Sequence, residues 1–358
     1  TRKESSAASD VYKRQPLLVR QQELPGHAAG AQARLGTTGA VATIQTLSSQ
    51  VFRQKSQSPQ SAFNHQAAGP KPVSAASPIR WPAEAIWEAV SPLLPGFTVE
   101  VLPTIDSTNT ELMRRARNGQ CEPTLLVAEQ QTAGRGRLGR VWQSDVGASL
   151  MMSLGLPLAP KDWSGLSLAV GVSVAESLQP VLPPLGANQP ARVGLKWPND
   201  LWLGGAAGDR KLGGILVETA SFVAPQVAAT QAPASTARYV VVGIGINVLP
   251  RSPEGMSMPP GSLQEVEPGL DASTALQRIV PPLVAMLQSF AGYGFAPMQP
   301  RFAARDVLQG RAVTLSDGHT GTAHGVGDDG ALLVHTAGGM QAITSSEISV
   351  RPTAVPPV

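Results

Sequence analysis

The hydrophobic pattern divides the chain near residue 79. Through residues 1–78 the apolar side chains recur neither at every second residue nor at every third or fourth. No helix or strand there has a face to bury, so burial would not compensate for the entropy lost on ordering. The pattern therefore predicts a disordered or non-native tail over residues 1–78.

From residue 79 the apolar positions become periodic and predict alternating helices and strands. Ile86, Trp87 and Val90 lie at helical spacing, and Pro95-Gly96 would end this first helix. Strands are predicted at residues 97–105, 124–129, 148–156, 192–196, 214–218 and 238–248. A capping box at Thr108-x-x-Glu111 predicts the start of a second helix. Two more helices are predicted at residues 164–178 and 273–290, and Pro281-Pro282 would kink or split the last one.

The C-terminal part has a different pattern, in which short apolar strands alternate with Gly and Asp turns. Strands are predicted at residues 312–316, 320–326, 332–335 and 340–344. This spacing is typical of a small SH3-like barrel. We therefore predict an α/β domain over residues 79–308 and a β domain over 309–352, with a polar hairpin excursion at 221–237.

Charge and cysteine content narrow the class of protein. Residues 1–80 contain 10 Lys and Arg against 3 Asp and Glu, whereas the rest contains 18 against 22. The mildly acidic body argues against a protein that coats nucleic acid. The lone Cys121 excludes an internal disulfide and fits a reducing compartment. With no apolar run of roughly 18–20 residues and no signal-peptide order, we expect a cytoplasmic protein that does not enter a membrane.

The densest candidate motif is a glycine-rich loop at residues 134–140, here called the arginine loop. It contains G-x-G-x-x-G after a strand, but two variable positions are Arg135 and Arg137, and the following residues look extended rather than helical. A dinucleotide fingerprint must open a helix, so we reject that interpretation. Together with Arg140, the arginines predict a mobile loop that folds over a phosphate or carboxylate; an exposed basic turn is the alternative.

A second cluster, Lys196-Trp197-Pro198-Asn199-Asp200, follows an apolar strand. A partly buried ammonium group there requires an anion. Asp200 or Asn199 could position either a magnesium ion or the lysine itself. A purely structural turn is the competing interpretation.

Three weaker motifs complete the candidate chemistry. They are Ser107-Thr108-Asn109, the stretch Arg-Lys-Leu-Gly-Gly-Ile-Leu-Val-Glu at 210–218, and Gly-Ile-Gly-Ile-Asn at 243–247. The first could cap a helix or grip a ligand, and the last could admit a flat ligand or pack tightly against a strand. With no metal-ligand spacing, nucleophile elbow or Walker lysine, the chain favours phosphoryl or nucleotidyl transfer by positioning and charge neutralisation.

In this order, S-T-N-T, Q-T-A-G-R-G-R-L-G-R, K-W-P-N-D-L, R-K-L-G-G-I-L-V-E and G-I-G-I-N-V resemble the biotin–protein ligase family over residues 79–350. The resemblance implies an α/β, mixed-sheet catalytic domain related to class II aminoacyl-tRNA synthetases and lipoate ligases, with a small C-terminal SH3-like β barrel. It also implies a biotin–[acetyl-CoA-carboxylase] ligase that uses ATP and Mg²⁺. Such an enzyme forms biotinyl-5′-AMP and modifies a lysine of a biotin carboxyl carrier protein.

The resemblance also assigns roles to individual residues. Biotin would contact Ser107, Thr108, Asn109, Gln131, Arg135, Gly136, Arg137 and Lys196. The nucleotide would contact Arg137, Arg140, Trp142, Asn199, Lys211 and Asn247. Lys196, Arg135 and Arg137 would be catalytic, and the metal ligands stay unassigned, with Asp200 as an indirect candidate.

Three other functions stay open. A lipoate–protein ligase would act on a similar acid and acceptor, and a non-catalytic module would only bind biotin. A repressor of the bifunctional branch needs an N-terminal helix-turn-helix, and none is legible in residues 1–80, so we do not expect DNA binding. The sequence does not decide whether the chain forms a homodimer.

Overall fold

A computed structural model describes residues 79–184, 191–204, 208–221, 237–254, 256, 258–344 and 350–352. The predicted tail over 1–78 and most of the predicted excursion at 221–237 lie outside the described residues. Among the residues described, no helix combines the length and apolar character needed to cross a bilayer.

The first part of the described chain forms a seven-stranded mixed sheet with helices on both faces. Its helices are α1 (Ala83–Val90), α2 (Thr108–Arg117), α3 (Leu166–Leu178), α4 (Ala272–Tyr293) and α5 (Gln299–Ala303). Its strands are β1 (Thr98–Ile105), β2 (Thr124–Gln131), β3 (Ser149–Leu158), β4 (Arg192–Lys196), β5 (Asp200–Gly204), β6 (Arg210–Ser221) and β7 (Arg238–Asn247). The strand order is β1-β2-β3-β7-β6-β5-β4, in which only β1 and β2 run parallel. The predicted mixed α/β fold is confirmed.

Helix α2 starts differently from the prediction. Ser107, not Thr108, is the N-cap: its backbone is extended and its hydroxyl accepts a hydrogen bond from the Thr110 N–H at 3.4 Å. Glu111 lies one position too far into the helix to complete a capping box and forms ion pairs with arginines of the next turn. At the other end, Gly119 adopts a left-handed φ of +80° just past the helix, a conformation that favours glycine.

The two faces of the sheet are covered unequally. Helices α1, α3 and α4 bury the larger hydrophobic cluster on one face, and α2 covers part of the other. On strand β7, Tyr239 and Val241 pack beneath α2, and the next residues on that face are Gly243, Gly245 and Asn247. Because the glycines have no side chains, the side chains of Asn109 and Trp142 can lie directly against this part of the sheet.

Two elements correct the prediction further. Helix α4 is continuous through Pro281 and Pro282, so the predicted split is wrong. Helix α4 has buried residues on both sides of the prolines and packs against α3, and this packing stabilises a helix that lacks the proline N–H bonds. Strand β5 follows directly on Pro198-Asn199, where only a turn was expected, because it is paired on both edges by β4 and β6.

The C-terminal part forms a separate antiparallel sheet. Its strands are β8 (Ala312–Leu315), β9 (Thr320–Val326), β10 (Leu332–Thr336), β11 (Gly339–Ile343) and β12 (Val350–Pro352), in the order β11-β10-β9-β8-β12. Strand β12 was not predicted, but the sheet is consistent with the expected SH3-like domain. The turn between β9 and β10 touches the first part of the chain, where the buried Trp197 indole N–H donates to the Gly330 carbonyl at 3.1 Å.

Candidate functional site

The end of strand β7, from Gly243 to Asn247, forms the floor of a cavity of about 520 Å³. Every residue that the sequence analysis singled out for biotin, nucleotide, charge neutralisation or metal lines this cavity, from Ser107 at the start of α2 to Asn247 at the end of β7. The volume is in the range of pockets that bind small molecules. The sequence motifs, which are far apart along the chain, therefore meet at one site.

The cavity wall is strongly cationic. Among the lining residues its cations are Arg135, Arg137, Arg140, Lys196, Lys211 and Arg251, and its one carboxylate is Asp200. Like charges gathered in a cleft repel one another and create a positive potential that attracts anions. The composition of the wall favours a ligand with several negative charges.

Lys196 is the buried cation of this wall. It ends strand β4 with 8% of its surface exposed, and its Nζ lies 5.4 Å from the centre of the Trp202 ring and 4.0 Å from Asp200. Burial lowers the pKa of Lys196 to about 8; Asp200 opposes this shift, and nearby cations add to it. An anion bound next to Lys196 would restore the charge that burial disfavours.

Asp200 and Asn199 position cations of this site. Asp200 accepts a 2.8 Å hydrogen bond from the Lys211 ammonium group. The Asn199 amide donates to a backbone carbonyl of β6, and its Oδ1 accepts from Arg137 at 3.4 Å. The described residues include no group of three His, Cys, Asp or Glu that could hold a metal ion. Of the two interpretations open for this turn, the contacts favour positioning of the lysines over a protein-held magnesium ion.

A fixed polar wall lies at the N-terminus of α2. The Thr108 N–H and hydroxyl both donate to Gln131 Oε1, at 2.8 and 3.1 Å. The buried Ser153 hydroxyl lies 2.7 Å from Thr108 Oγ1 and 2.6 Å from Asn109 Oδ1. Ser107, which caps the helix, also lines the cavity, so its two proposed roles are compatible.

The amide of Asn109 is fully engaged by the protein. Its Nδ2 donates to the Leu216 carbonyl at 3.2 Å and to Glu218 Oε2 at 3.0 Å, and its Oδ1 meets Ser153. Gly243 lies directly against it, where a Cβ atom would collide with the amide. These contacts favour a role for Asn109 in shaping the wall, and its direct contact with biotin stays a prediction.

The arginine loop folds as a hairpin with one 3-10 turn at its tip. The Gly136 N–H donates to the Arg140 carbonyl at 2.7 Å, and no helix begins at the loop, in contrast to a dinucleotide fingerprint. Arg135 reaches the floor, where its Nη2 donates to Glu218 Oε1 at 2.6 Å. Arg137 turns toward the β4–β5 turn, and burial lowers its pKa.

The glycines of β7 make room for side chains of this same chain. A Cβ atom on Gly245 would lie 2.6 Å from Cε2 of the Trp142 indole, just as one on Gly243 would meet Asn109. The tightly packed interpretation of this strand therefore explains both glycines. The Trp142 Nε1–H is buried and has no hydrogen-bond partner among the described residues, so it offers a donor to a ligand acceptor.

Three residues at the site were not singled out from the sequence. Two of them could have been found from the sequence, because Glu218 ends the 210–218 motif and Ser153 is a polar residue within the apolar run of β3. Arg251 could not have been found in this way, because it lies in irregular chain after β7 and belongs to no motif. It donates to the Gln143 carbonyl at 2.8 Å and to Asp145 at 3.1 Å, and so holds the chain that follows the arginine loop.

Comparison with protein families matches both parts of the described chain. Residues 101–247 match the biotin/lipoate A/B protein ligase family, and residues 308–351 match the biotin protein ligase C terminal domain. The solved structure of biotin protein ligase from Aquifex aeolicus in complex with biotin and ATP superposes with a TM-score of 0.56 at 28% identity. The match covers 71% of this chain and 99% of that chain.

Curated relatives agree with these matches. The bifunctional ligase/repressor BirA of Escherichia coli K12 is 37% identical over 268 residues, which are 72% of this chain and 75% of that protein. The biotin–[acetyl-CoA-carboxylase] ligase of Paracoccus denitrificans is 31% identical over 257 residues, covering 69% of this chain and 98% of that protein. With its catalytic and C-terminal parts both matched, the chain belongs to the biotin protein ligase family.

Proposed function

We propose that the chain is a biotin–[acetyl-CoA-carboxylase] ligase. It joins biotin to ATP as biotinyl-5′-AMP with release of pyrophosphate, then transfers the biotinyl group to a lysine of a biotin carboxyl carrier protein with release of AMP. The observation that carries the proposal is the meeting of the buried Lys196 with the arginine loop in one cationic cavity. Relatives named for this activity, and a related ligase solved with biotin and ATP, support it.

The first step brings two anions together. Biotin's carboxylate oxygen attacks the α-phosphorus of ATP, the bond to pyrophosphate breaks, and the mutual repulsion of the reactants opposes their approach. Lys196 and Arg137 offset this repulsion with fixed positive charge in a partly buried site, where such charge acts more strongly than in water. Lys211 and Arg140 add charge at the nucleotide end.

Magnesium would enter this step with the nucleotide. The described residues offer a magnesium ion one carboxylate at the cavity, Asp200, and that group already accepts from Lys211. Magnesium in phosphoryl-transfer sites is commonly bound by substrate phosphates and water with few protein ligands. The phosphates of ATP would therefore carry the ion, which would add positive charge there, while Asp200 holds Lys211 in place.

The second step needs a protected anhydride and a neutral amine. The arginine loop lies over the cavity, and its closure on the adenylate would keep water from the reactive acyl carbon. The carrier lysine, with an ordinary pKa of ~10.4, loses a proton before its nitrogen attacks that carbon. The acyl–phosphate bond then breaks, and AMP departs.

Incubation with biotin, ATP, magnesium and an apo-carrier domain, followed by intact-mass measurement, tests this function. We expect the carrier to gain one biotinyl group only when both ATP and biotin are present, and the Lys196→Ala variant to lose pyrophosphate release. Equal or faster transfer of lipoate would establish the lipoate ligase instead. Biotin binding without ATP-dependent pyrophosphate release would establish a binding module.

Cytoplasmic location and the absence of DNA binding also belong to the proposal. The reaction needs ATP and a carboxylase carrier, and the lone Cys121 is compatible with a reducing compartment. The Escherichia coli relative is named a ligase/repressor, whereas residues 1–78 of this chain lack a legible helix-turn-helix. A gel shift of genomic fragments in the presence of biotin and ATP would overturn the monofunctional assignment.

A further inference from the structure

A series of polar contacts runs from Gln131, the last residue of β2, to Arg135 in the arginine loop, and the chain between these two residues completes a ring. Its members, here called the polar ring, are Gln131, Thr108, Ser153, Asn109, Glu218 and Arg135. They come from β2, α2, β3 and β6 and from the loop itself. The ring therefore connects the base of the loop, through the floor of the cavity, to the loop's first arginine.

Glu218 closes this ring with both carboxylate oxygens. Oε1 accepts from Arg135 Nη2 at 2.6 Å, and Oε2 accepts from Asn109 Nδ2 at 3.0 Å. The Glu218 side chain is 25% exposed and the Arg135 side chain 46%, so the pair is partly open to water. One carboxylate thus joins a residue that the sheet holds rigidly to a residue on the loop.

The partner on the sheet is itself fixed. Asn109 is 4% exposed, and its remaining groups meet the Leu216 carbonyl and Ser153. A carboxylate that is aligned by such an amide has little freedom to turn. Glu218 therefore presents Oε1 at a defined place, and Arg135 must come to that place for the loop to be held.

We propose that Glu218 is a positioning residue for the ligase reaction, which sets the arginine loop over the biotin end of the cavity by holding Arg135. The inference rests on the proposed function and refines it. Arg135 then acts as a support of the loop, and stabilisation of the reacting anions falls to Arg137 and Lys196. The role of Arg135 differs here from the catalytic one that the resemblance implies.

The loop's position can be measured without any ligand. Trypsin cleaves after arginine, and the loop carries Arg135, Arg137 and Arg140. The Glu218→Gln variant keeps the size of the side chain but removes its charge. We expect trypsin to cleave within residues 134–140 about tenfold faster in this variant, because it loses one hydrogen bond to a charged group. The Glu176→Gln variant is the matched control, because Glu176 pairs with Arg301 at 30% and 46% side-chain exposure, away from the cavity.

Kinetics then test the effect on the reaction. Glu218→Gln and Arg135→Ala should each raise the KM for biotin and speed the loss of biotinyl-AMP by about tenfold, with little change in the KM for ATP. The double variant should be no worse than either single variant, because both changes break the same contact. A general loss of folding would instead lower the apparent kcat and leave both KM values unchanged. Glu218→Asp, which keeps the charge, should recover part of the biotin KM.

Each outcome decides a separate claim. Unchanged tryptic cleavage in Glu218→Gln relative to Glu176→Gln, or additive effects in the double variant, would overturn the positioning role even in an active ligase. Faster cleavage in a protein that shows no biotin-dependent pyrophosphate release would leave the loop anchor intact and overturn the proposed function. Equal rises in the KM for biotin and for ATP would also contradict the inference.

Discussion

Lys196 combines burial with a position beside the proposed reacting groups. Burial lowers its pKa to about 8 in the ligand-free protein, and Asp200, Lys211, Arg137 and Arg140 are the charged groups that act on it. Below pH 8 the ammonium form is already present. Above pH 8 most of the free protein holds the neutral amine, and an incoming anion must bring a proton back to it.

This argument predicts proton-linked binding. The affinity for biotin with a non-hydrolysable ATP analogue should be nearly constant below pH 8 and fall by up to about tenfold per pH unit above it. Calorimetric titration in two buffers with different ionisation enthalpies should show proton uptake near zero at low pH and rising toward one above pH 8. Lys196→Gln is the control that should remove the uptake; unchanged uptake in that variant would assign it to another group.

Arg137 carries the other charge placed against the anions. Burial lowers its pKa, and its guanidinium contacts Asn199 beside Lys196. Because a hydrogen bond to a charged group contributes about 1.5–3 kcal/mol, Arg137→Ala should release biotinyl-AMP about 10–100-fold faster and retain biotin more weakly. A chase experiment measures the release, with the exposed Arg117→Ala as control. Release at the unaltered rate would remove Arg137 from the binding machinery.

At the level of the strand, the glycines of β7 make room for side chains of the cavity wall. A methyl group on Gly245 would lie 2.6 Å from the Trp142 indole, whereas one on Gly204, at the end of β5, would meet nothing within 4 Å. Gly245→Ala should displace the indole, raise the KM for ATP several-fold and lower the free energy of unfolding by about 1–3 kcal/mol. Gly204→Ala should alter neither quantity. Equal effects of the two substitutions would show that strand propensity, not the Trp142 contact, is responsible.

The elements predicted from sequence are those with enough residues to show a period. Strands β3 and β7 and helix α3 have long apolar runs, and their positions are close to those expected. Strands β5 and β12 are short, and pairing with neighbours determines them. Local sequence contains no record of such partners, which explains why both were missed.

The motifs likewise predicted which residues meet, but not which residue holds which. Asn109 and Glu218 are 109 positions apart and come together because β6 lies next to β7 beneath α2. From the sequence alone, Asp200 is equally suited to hold a metal ion or a lysine. In the structure, the pairing of β5 with β6 brings the Lys211 ammonium group to Asp200. Contacts of this kind depend on strand order, and no short motif encodes it.

For the whole molecule, the C-terminal sheet matters to the site because it contacts the segment that bears Lys196. The Trp197 indole is fully buried, and its N–H donates to the carbonyl of Gly330, in the turn between β9 and β10. An ion pair between Arg311 and Asp209 joins the same two parts of the chain. The C-terminal sheet thereby supports the backbone next to Lys196 from behind.

Trp197→Phe should therefore affect catalysis as well as stability. The substitution leaves the Gly330 carbonyl without its buried donor, which costs about 1–3 kcal/mol of unfolding free energy, and it loosens the residue adjacent to Lys196. Trp87→Phe is the control, because the Trp87 indole also donates to a backbone carbonyl, that of Phe97. Trp87 packs on the face of the first sheet opposite α2, away from the cavity. We expect both variants to lose stability in chemical denaturation, Trp87→Phe by less because Trp87 is only partly buried, and the rate of pyrophosphate release to fall only in Trp197→Phe. Equal rates in the two variants would show that the C-terminal sheet does not position Lys196 through this contact.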